Sequence, residues 1–336
     1  MDALTAAVTQ AAYDLDPGRG TSRVLAGAGG GEYSHLHTSP EDVARLLNSL
    51  PLAEPHDGAV LSSLRSAVDN ARYWQEPDGE DVLVSVPEVR EALGRMATAL
   101  IASACAVGWK DPVDTTGQWA VSFPGTTGSA RSTPVNAGEV LEQWHAHQLD
   151  EEAVADRERP PDPEARFSGT WWSRPPYLLT RTTRWLAGRG PVGLWLVEDG
   201  LGWAAAAARR IRVPGDVRIY EIDGPDAWAE LCRRYPLDVT ASRRQDWYRT
   251  TGRRGSWVIP DWQDVQRDVD AVHVSVAGYL TTAGRAIVVD DDRASVLAGW
   301  DPDQTYWFRD VATETATDQE WTYDRGPDVW TMASSR

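Results

Sequence analysis

The sequence predicts an α+β protein. It reads as a mainly helical domain over residues 1–159, a Pro-rich linker over 160–168, and a Trp-rich mixed α/β domain over 169–336. Three observations predict this. Apolar residues recur at helical spacing through the first half, and short β-type runs separated by helical ones fill the second. Between them Pro160-Pro161-Asp162-Pro163 breaks the chain. The aromatic content changes at the same place: of 17 Trp, only Trp74, Trp109, Trp119 and Trp144 precede Trp171.

In order, Ala3–Leu15 reads as a helix, followed by a Gly-rich stretch, Ala26–Gly31. That stretch lacks the Lys-Ser/Thr of a phosphate-binding loop and the G-x-G-x-x-G of a dinucleotide fold, so it reads as linker. Ser39-Pro40-Glu41-Asp42 combines a capping Ser, Pro at the first position and acids in the first turn, opening a helix over Val43–Leu50. Leu61–Tyr73 continues at helical spacing. Ser85-Val86-Pro87-Glu88 reads as a capping box opening a helix to about Val107. Trp119–Phe123 is a strand candidate, and Gly138–Arg159 a charged helix. Beyond the linker, strands are expected at Tyr177–Thr183, Val192–Val197, Val217–Ile222, Ala271–Val276, Ala286–Val289 and Tyr306–Phe308. Helices are expected at Leu201–Ile211, where Ala204–Ala208 would allow close packing on a sheet, and at Pro225–Tyr235.

Composition excludes several function classes. The net charge is −17 and Lys110 is the only Lys, so a sequence-independent grip on nucleic acid or an anionic membrane is not expected. No sequence-specific nucleic-acid partner is expected either. Cys105 and Cys232 cannot build a disulfide framework or a CxxC zinc site. With no signal-peptide pattern and no long apolar run, the cytoplasm is the expected compartment. The Arg-for-Lys bias with abundant Ala, Gly and Asp points to high-GC, bacterial coding.

Metal ligation has two candidate pairs, His35/His37 and His145/His147. Imidazoles two apart share a face on a strand but diverge on a helix, where the second pair falls, so surface imidazoles are expected and no metal. Asp290–Asp292 and the Asp301-Pro302-Asp303 run read as turns. There is no Gly-x-Ser-x-Gly elbow, and neither Cys lies near a His, which leaves nucleophilic hydrolysis without an anchor.

The order of four segments carries the remaining signal. Val192–Asp199 (VGLWLVED), the Ala204–Ala208 run, Val217–Asp223 (VRIYEID) and Asp270–Leu280 (DAVHVSVAGYL) follow one another in the second half. This order resembles the ADP-ribosyltransferase fold, in which a strand leads into an Ala-rich helix, a "vYeId" strand follows, and a later strand bears the last catalytic position. The last segment is also similar to RNA 2′-phosphotransferases. The resemblance implies a split sheet, NAD as cofactor, and transfer of ADP-ribose to a small-molecule or protein acceptor, or NAD hydrolysis. It implies catalytic roles for Arg181, Glu221 and His273, with His273 where many transferases carry Glu. Thr180, Thr182, Trp195, Tyr220 and Tyr279 are implied as NAD contacts. The chain has no Ser-Thr-Ser, Glu-x-Glu, Gln-x-Glu or His-Gly-Thr motif. The plainer reading makes Trp195 a core ring, Glu221 a solvated carboxylate at a strand edge and His273 a satisfied structural group.

One basic concentration stands out, from Arg243 and Arg244 through Trp247 to Arg253 and Arg254. It suits phosphate or base stacking, and it equally suits pairing with the protein's own acids. Two further function classes remain open: a non-enzymatic module presenting indoles to a peptide or small molecule, and a tailoring enzyme of bacterial specialised metabolism.

Overall fold

Ser39 opens the helix expected of it. Its hydroxyl accepts from the Asp42 amide, the Asp42 carboxylate accepts from the Ser39 amide, and Pro40 takes the first position, where no N–H is needed. The computed structural model describes residues 3–19, 38–125, 136–313 and 318–333, so Ala26–Gly31, His35 and His37 lie outside the described residues. Two compact units result: Met1–Val60 with Glu76–Val107, and Leu61–Gln75 with Gly108–Arg336. Residues 160–168, expected as a linker, belong to the second unit.

In the first unit α1 (Ala3–Leu15), α2 (Pro40–Ser49), α4 (Gly79–Ser85) and α5 (Pro87–Ile101) are helices, and α3 (Asp57–Asp69) begins there and continues into the second unit. Small residues set the core, with Ala7, Ala11, Ala44 and Ala92 buried beside Val43, Leu47, Leu83 and Val89. Gly79 permits the approach of α4 to α1, since a Cβ there would lie 1.8 Å from the Ala12 carbonyl oxygen. The capping box expected at Ser85 is absent. Ser85 ends α4, its hydroxyl donating to the Val82 carbonyl, and Asp78 forms the capping box of that helix. α5 stops at Ile101 and a separate 3-10 turn follows at Ala104–Ala106, short of the expected Val107.

The second unit is α+β. Its elements in chain order begin with β1 (Trp119–Ser122), α6 (Ala137–Glu158), β2 (Arg181–Thr182), β3 (Trp185–Leu186), β4 (Gly190–Pro191) and β5 (Ala205–Arg212). Next come β6 (Ile219–Ile222), α7 (Pro225–Arg234), β7 (Pro236–Asp238), α8 (Thr240–Thr251), β8 (Ser256–Pro260) and α9 (Trp262–Val265). The chain closes with β9 (Ala271–Val274), α10 (Val276–Thr282), β10 (Ile287–Val288), β11 (Arg293–Ser295), β12 (Gln304–Trp307), β13 (Ala312–Thr313), β14 (Gln319–Asp324) and β15 (Val329–Met332). Three sheets carry most strands, in the orders β1-β5-β14-β15 with β13 also on β5, β10-β11-β8-β7, and β2-β12-β9-β6; β3 and β4 form a hairpin. The third sheet is mixed, with β9 antiparallel to β12 and parallel to β6.

Two expectations in this unit are corrected. The run expected as a helix over Leu201–Ile211 is strand β5, because β1 and β14 complete its hydrogen-bond ladder on both sides. Ala206 and Ala208 alternate inward, and Ala206 sits opposite Trp321, so the small side chain makes room for the indole. Tertiary pairing outweighs the helix propensity of Ala here. Val192–Val197, expected as a strand, starts as a 3-10 turn at Val192–Leu194, with Trp195 and Leu196 amides both donating to the Val192 carbonyl. Pro191 precedes that turn and offers no N–H to a ladder.

Indoles build the core. Trp228, Trp262 and Trp300 are fully buried and meet at ring-centroid distances of 5.9–6.3 Å, in tilted and edge-on contacts. A second cluster joins Trp247 and Trp257 edge-on at 5.3 Å. At the edge of β9, Gly278 lets α10 touch the end of β6: a Cβ there would lie 2.1 Å from the Ile222 carbonyl oxygen. Gly278→Ala is therefore expected to destabilise the protein by about 2 kcal/mol or more, although helix propensity alone favours Ala. Urea unfolding checks the sign; an unchanged or raised midpoint would contradict this packing.

Candidate functional site

Strand pairing divides the expected catalytic residues between two faces. Thr305 of β12 lies opposite Thr182 and His273, and His273 opposite Glu221, so these four share one face of the sheet. Tyr306 lies opposite Arg181 and Val272, and Val272 opposite Tyr220, so Arg181 and Tyr220 belong to the other face. Arg181 thus does not converge with His273 and Glu221.

On the first face a chain of alternating charge crosses the sheet. Glu221 Oε2 lies 2.5 Å from His273 Nδ1, and His273 Nε2 lies 3.3 Å from Asp303 Oδ1. The Asp303 carboxylate also accepts from the Arg184 amide at 2.9 Å and from Arg184 Nε at 2.5 Å. Beyond it the Arg184 guanidinium donates to the Gly108 and Asp111 carbonyls, and Glu221 Oε1 accepts the Val113 amide. His273 and Asp303 are 1% exposed. Burial pulls the His273 imidazole toward its neutral form, but hydrogen bonds to Asp303 and Glu221, and their charges, outweigh it and raise its pKa. Two positive and two negative groups then alternate without net charge. Thr182 on the same face is engaged, donating to Gln118 Oε1 and accepting from Trp307 Nε1. Thr180 is half-buried, and its carbonyl accepts the Trp307 amide.

On the other face Tyr220 donates to the Ala227 carbonyl, and burial pushes its phenol up to about 12. Arg181 packs its guanidinium 3.5 Å from the Tyr177 ring centre, and Arg174 covers the same ring at 4.6 Å. Tyr279 donates to Glu198 Oε2 at 2.8 Å, and Glu198 Oε1 accepts the Gly299 amide at 2.6 Å. Burial raises the Glu198 carboxyl well above the ordinary range, against the hydrogen bonds from Tyr279 and Gly299.

The basic segment turns inward. Arg243 is fully buried on α8, bonded to Gln148 and Glu151 of α6, and Trp247 is buried beside it with its N–H on the Trp171 carbonyl. Glu152 accepts the first amides of α8, from Ala241 and Ser242, where the helix dipole favours a carboxylate. Arg244 is half-buried against the Ala241 and Pro161 carbonyls, and Arg253 stacks on Trp257 while bonding to Ser256 and Asp292 carbonyls. At Arg243 the segment pairs with the protein's own acids, one of the two uses its sequence allowed, while the Trp247 N–H is taken by a backbone carbonyl. His145 contacts Asp261, and among the described residues no group of three or more His, Cys, Asp or Glu could hold a metal.

A concave surface lies elsewhere in the second unit, and it includes the start of the run expected as a helix over Leu201–Ile211. A cleft of about 400 Å³ is lined by Arg65, Gly202, Trp203, Tyr323 and Arg325, and a smaller adjoining recess reaches Asp69, Phe123, Trp195 and Trp330. No family model, curated protein or solved structure matches the chain. Trp203 stacks on Phe123 at 4.5 Å with planes 15° apart, and both rings are only half-buried. Arg65 covers the Tyr323 ring at 4.5 Å and pairs with Asp328 at 2.6 Å. Gly202, at φ +66, lets the chain turn so that Trp203 faces the cleft. Of the residues expected to contact NAD, Trp195 alone is in this wall. It is 3% exposed and donates to the Arg189 carbonyl. Trp203, Arg65 and Asp69 were missed because they come from distant segments; the Gly-flanked Trp203 of Gly200-Leu201-Gly202-Trp203 was the one local signal.

The fold favours protonated His273, so the stability this group contributes is complete below the ordinary histidine value of 6.5 and is lost as pH rises through its higher folded value. Across that window, unfolding free energy is expected to fall with pH more steeply in the wild type than in His273→Gln. Parallel pH profiles for the two proteins would contradict the charged chain.

Proposed function

We propose that the second unit binds a flat aromatic ligand with an anionic tail in the Trp203 cleft, that this ligand is NAD, and that the reaction is ADP-ribosyl transfer or NAD hydrolysis. The observation that carries the reading is the half-buried Trp203–Phe123 stack, with Trp203 in the wall of a 400 Å³ cleft flanked by Arg65 and Arg325. A stacked indole offers its outer face to a planar ring, and guanidinium groups suit phosphate. The volume lies in the range of small-molecule sites. Asp69 supplies a carboxylate in the adjoining recess, where positive charge developing on a ribose carbon would be stabilised as nicotinamide leaves. In the hydrolytic case the bond from that carbon to nicotinamide breaks with its electron pair going to nicotinamide, and water adds to the carbon and loses a proton. The split sheet of the ADP-ribosyltransferase fold and an acceptor belong to this proposal through the sequence resemblance. No helix among the described residues is long and apolar enough to cross a membrane.

One observation favours a second reading. His273, Glu221 and Arg181 are absent from the cleft wall, which suits a recognition module that holds an aromatic ligand without turning it over.

Titration with NAD is expected to quench Trp fluorescence and raise the melting temperature, and Trp203→Ala to weaken binding roughly tenfold or more, the usual worth of one stacked ring. Nicotinamide release followed chromatographically separates the two readings: binding without release, abolished by Trp203→Ala, supports the module. Absence of any NAD-dependent shift would contradict NAD as the ligand.

A further inference from the structure

A second polar site, separate from the cleft residues, lies on the Arg181 face of the β2-β12-β9-β6 sheet. Gln304 and Tyr306 are two apart on β12, so both point to this face, and Arg181 is opposite Tyr306. Around them stand Arg174, Tyr177, Glu198 and Asp301. Arg174 and Arg181 share the Tyr177 ring. The Asp301 carboxylate accepts the Glu198 amide at 2.8 Å and Gln304 Nε2 at 2.7 Å. Tyr306 stands opposite Arg181 across the β12–β2 pair, and Arg181 shares the Tyr177 ring with Arg174.

Two buried atoms of this cluster lack a partner. Tyr306 is fully buried and Gln304 is 5% exposed, and neither Tyr306 Oη nor Gln304 Oε1 has a hydrogen-bond partner among the described residues. Exchanging the Gln304 amide atoms would not help, since its oxygen would then face the Asp301 carboxylate, acceptor against acceptor. The site therefore calls for a donor at Gln304 Oε1. The phenol beside two guanidinium groups calls for an acceptor. A bare oxyanion meets only the second demand and brings its charge toward Asp301. A molecule with a cationic donor at one end and an anionic acceptor at the other meets both and leaves the charge balance of Arg174, Arg181, Glu198 and Asp301 intact. Arg174, Tyr177 and Asp301 are only partly buried, and Trp172, over which Arg174 lies, is 37% exposed.

We propose that this site binds the head group of a free α-amino acid, its carboxylate on Arg174, Arg181 and the Tyr306 hydroxyl and its ammonium on Gln304 Oε1 and Asp301. The bound zwitterion fills the demands that the protein alone leaves unmet.

Isothermal titration of the full chain with each free L-amino acid and with inorganic phosphate tests this. Saturable binding of at least one amino acid is expected. Tyr306→Phe should weaken it roughly tenfold and Arg174→Gln at least as much, whereas Trp203→Ala should leave it unchanged. Because the Tyr306 hydroxyl has no partner to lose, the unfolding midpoint of Tyr306→Phe is expected to match or exceed that of the wild type. Binding of phosphate without any amino acid, heat from neither, or amino-acid binding indifferent to Tyr306→Phe would each overturn the proposal.

Discussion

The carboxylate of Asp303 is the constraint on which the second unit turns. It is 1% exposed, sits on a residue at φ +59, and accepts from the Arg184 amide, the Arg184 side chain and His273. A non-glycine residue in that left-handed region costs free energy, and the bonds to its side chain offset it. Through them the residues after β2 are joined to β9 and to the turn just before β12. Removing the carboxylate would leave a buried imidazolium and a largely buried guanidinium facing each other without the negative charge between them, the costly half of a broken buried pair.

The position of Asp303 also explains why the two faces of one sheet are so different. Gln304 follows it directly and Asp301 precedes it by two residues, so the turn fixed by Asp303 presents both of these to the opposite face. One face is electrically closed, each charge answered by its neighbour. The other carries Tyr306 Oη and Gln304 Oε1, buried and without a hydrogen-bond partner among the described residues, beside two guanidinium groups. The indoles follow the same division of labour. Most are fixed by other rings or by an N–H bond, as Trp228 is to Ser295 and Trp307 to Thr182. Trp203 stacks on Phe123 and stays only half-buried.

Much of the fold was legible where local chemistry and tertiary packing agree. The caps of α2, the length of α6, and the strand at β9 followed from residues adjacent in sequence. Legibility failed where a neighbouring strand decides the outcome: nothing in Ala204–Ala208 announces that β1 and β14 will flank it. Ser85 failed for a different reason, since two helices meet at Val86 and the cap-like residue closes the first of them. The site was legible only in pieces. His273 and Glu221 were both marked from the sequence, but their contact depends on parallel pairing of strands separated by a helix-rich stretch. Asp301 and Asp303 read as turn residues, and they are, yet their carboxylates point inward to His273 and Gln304. The Arg-rich segment read either way, because the acids that meet it, Glu151 and Glu152, lie far away on α6.

The central claim is that His273 is an imidazolium locked between Glu221 and Asp303. Long-range ¹H–¹⁵N correlation spectra of the imidazole rings, with His273 assigned by comparison with His273→Gln, report the state of both ring nitrogens directly. The account predicts that both nitrogens keep their protons to a higher pH than an ordinary histidine does. A His273 ring that loses its second proton at or below the ordinary histidine value would contradict it.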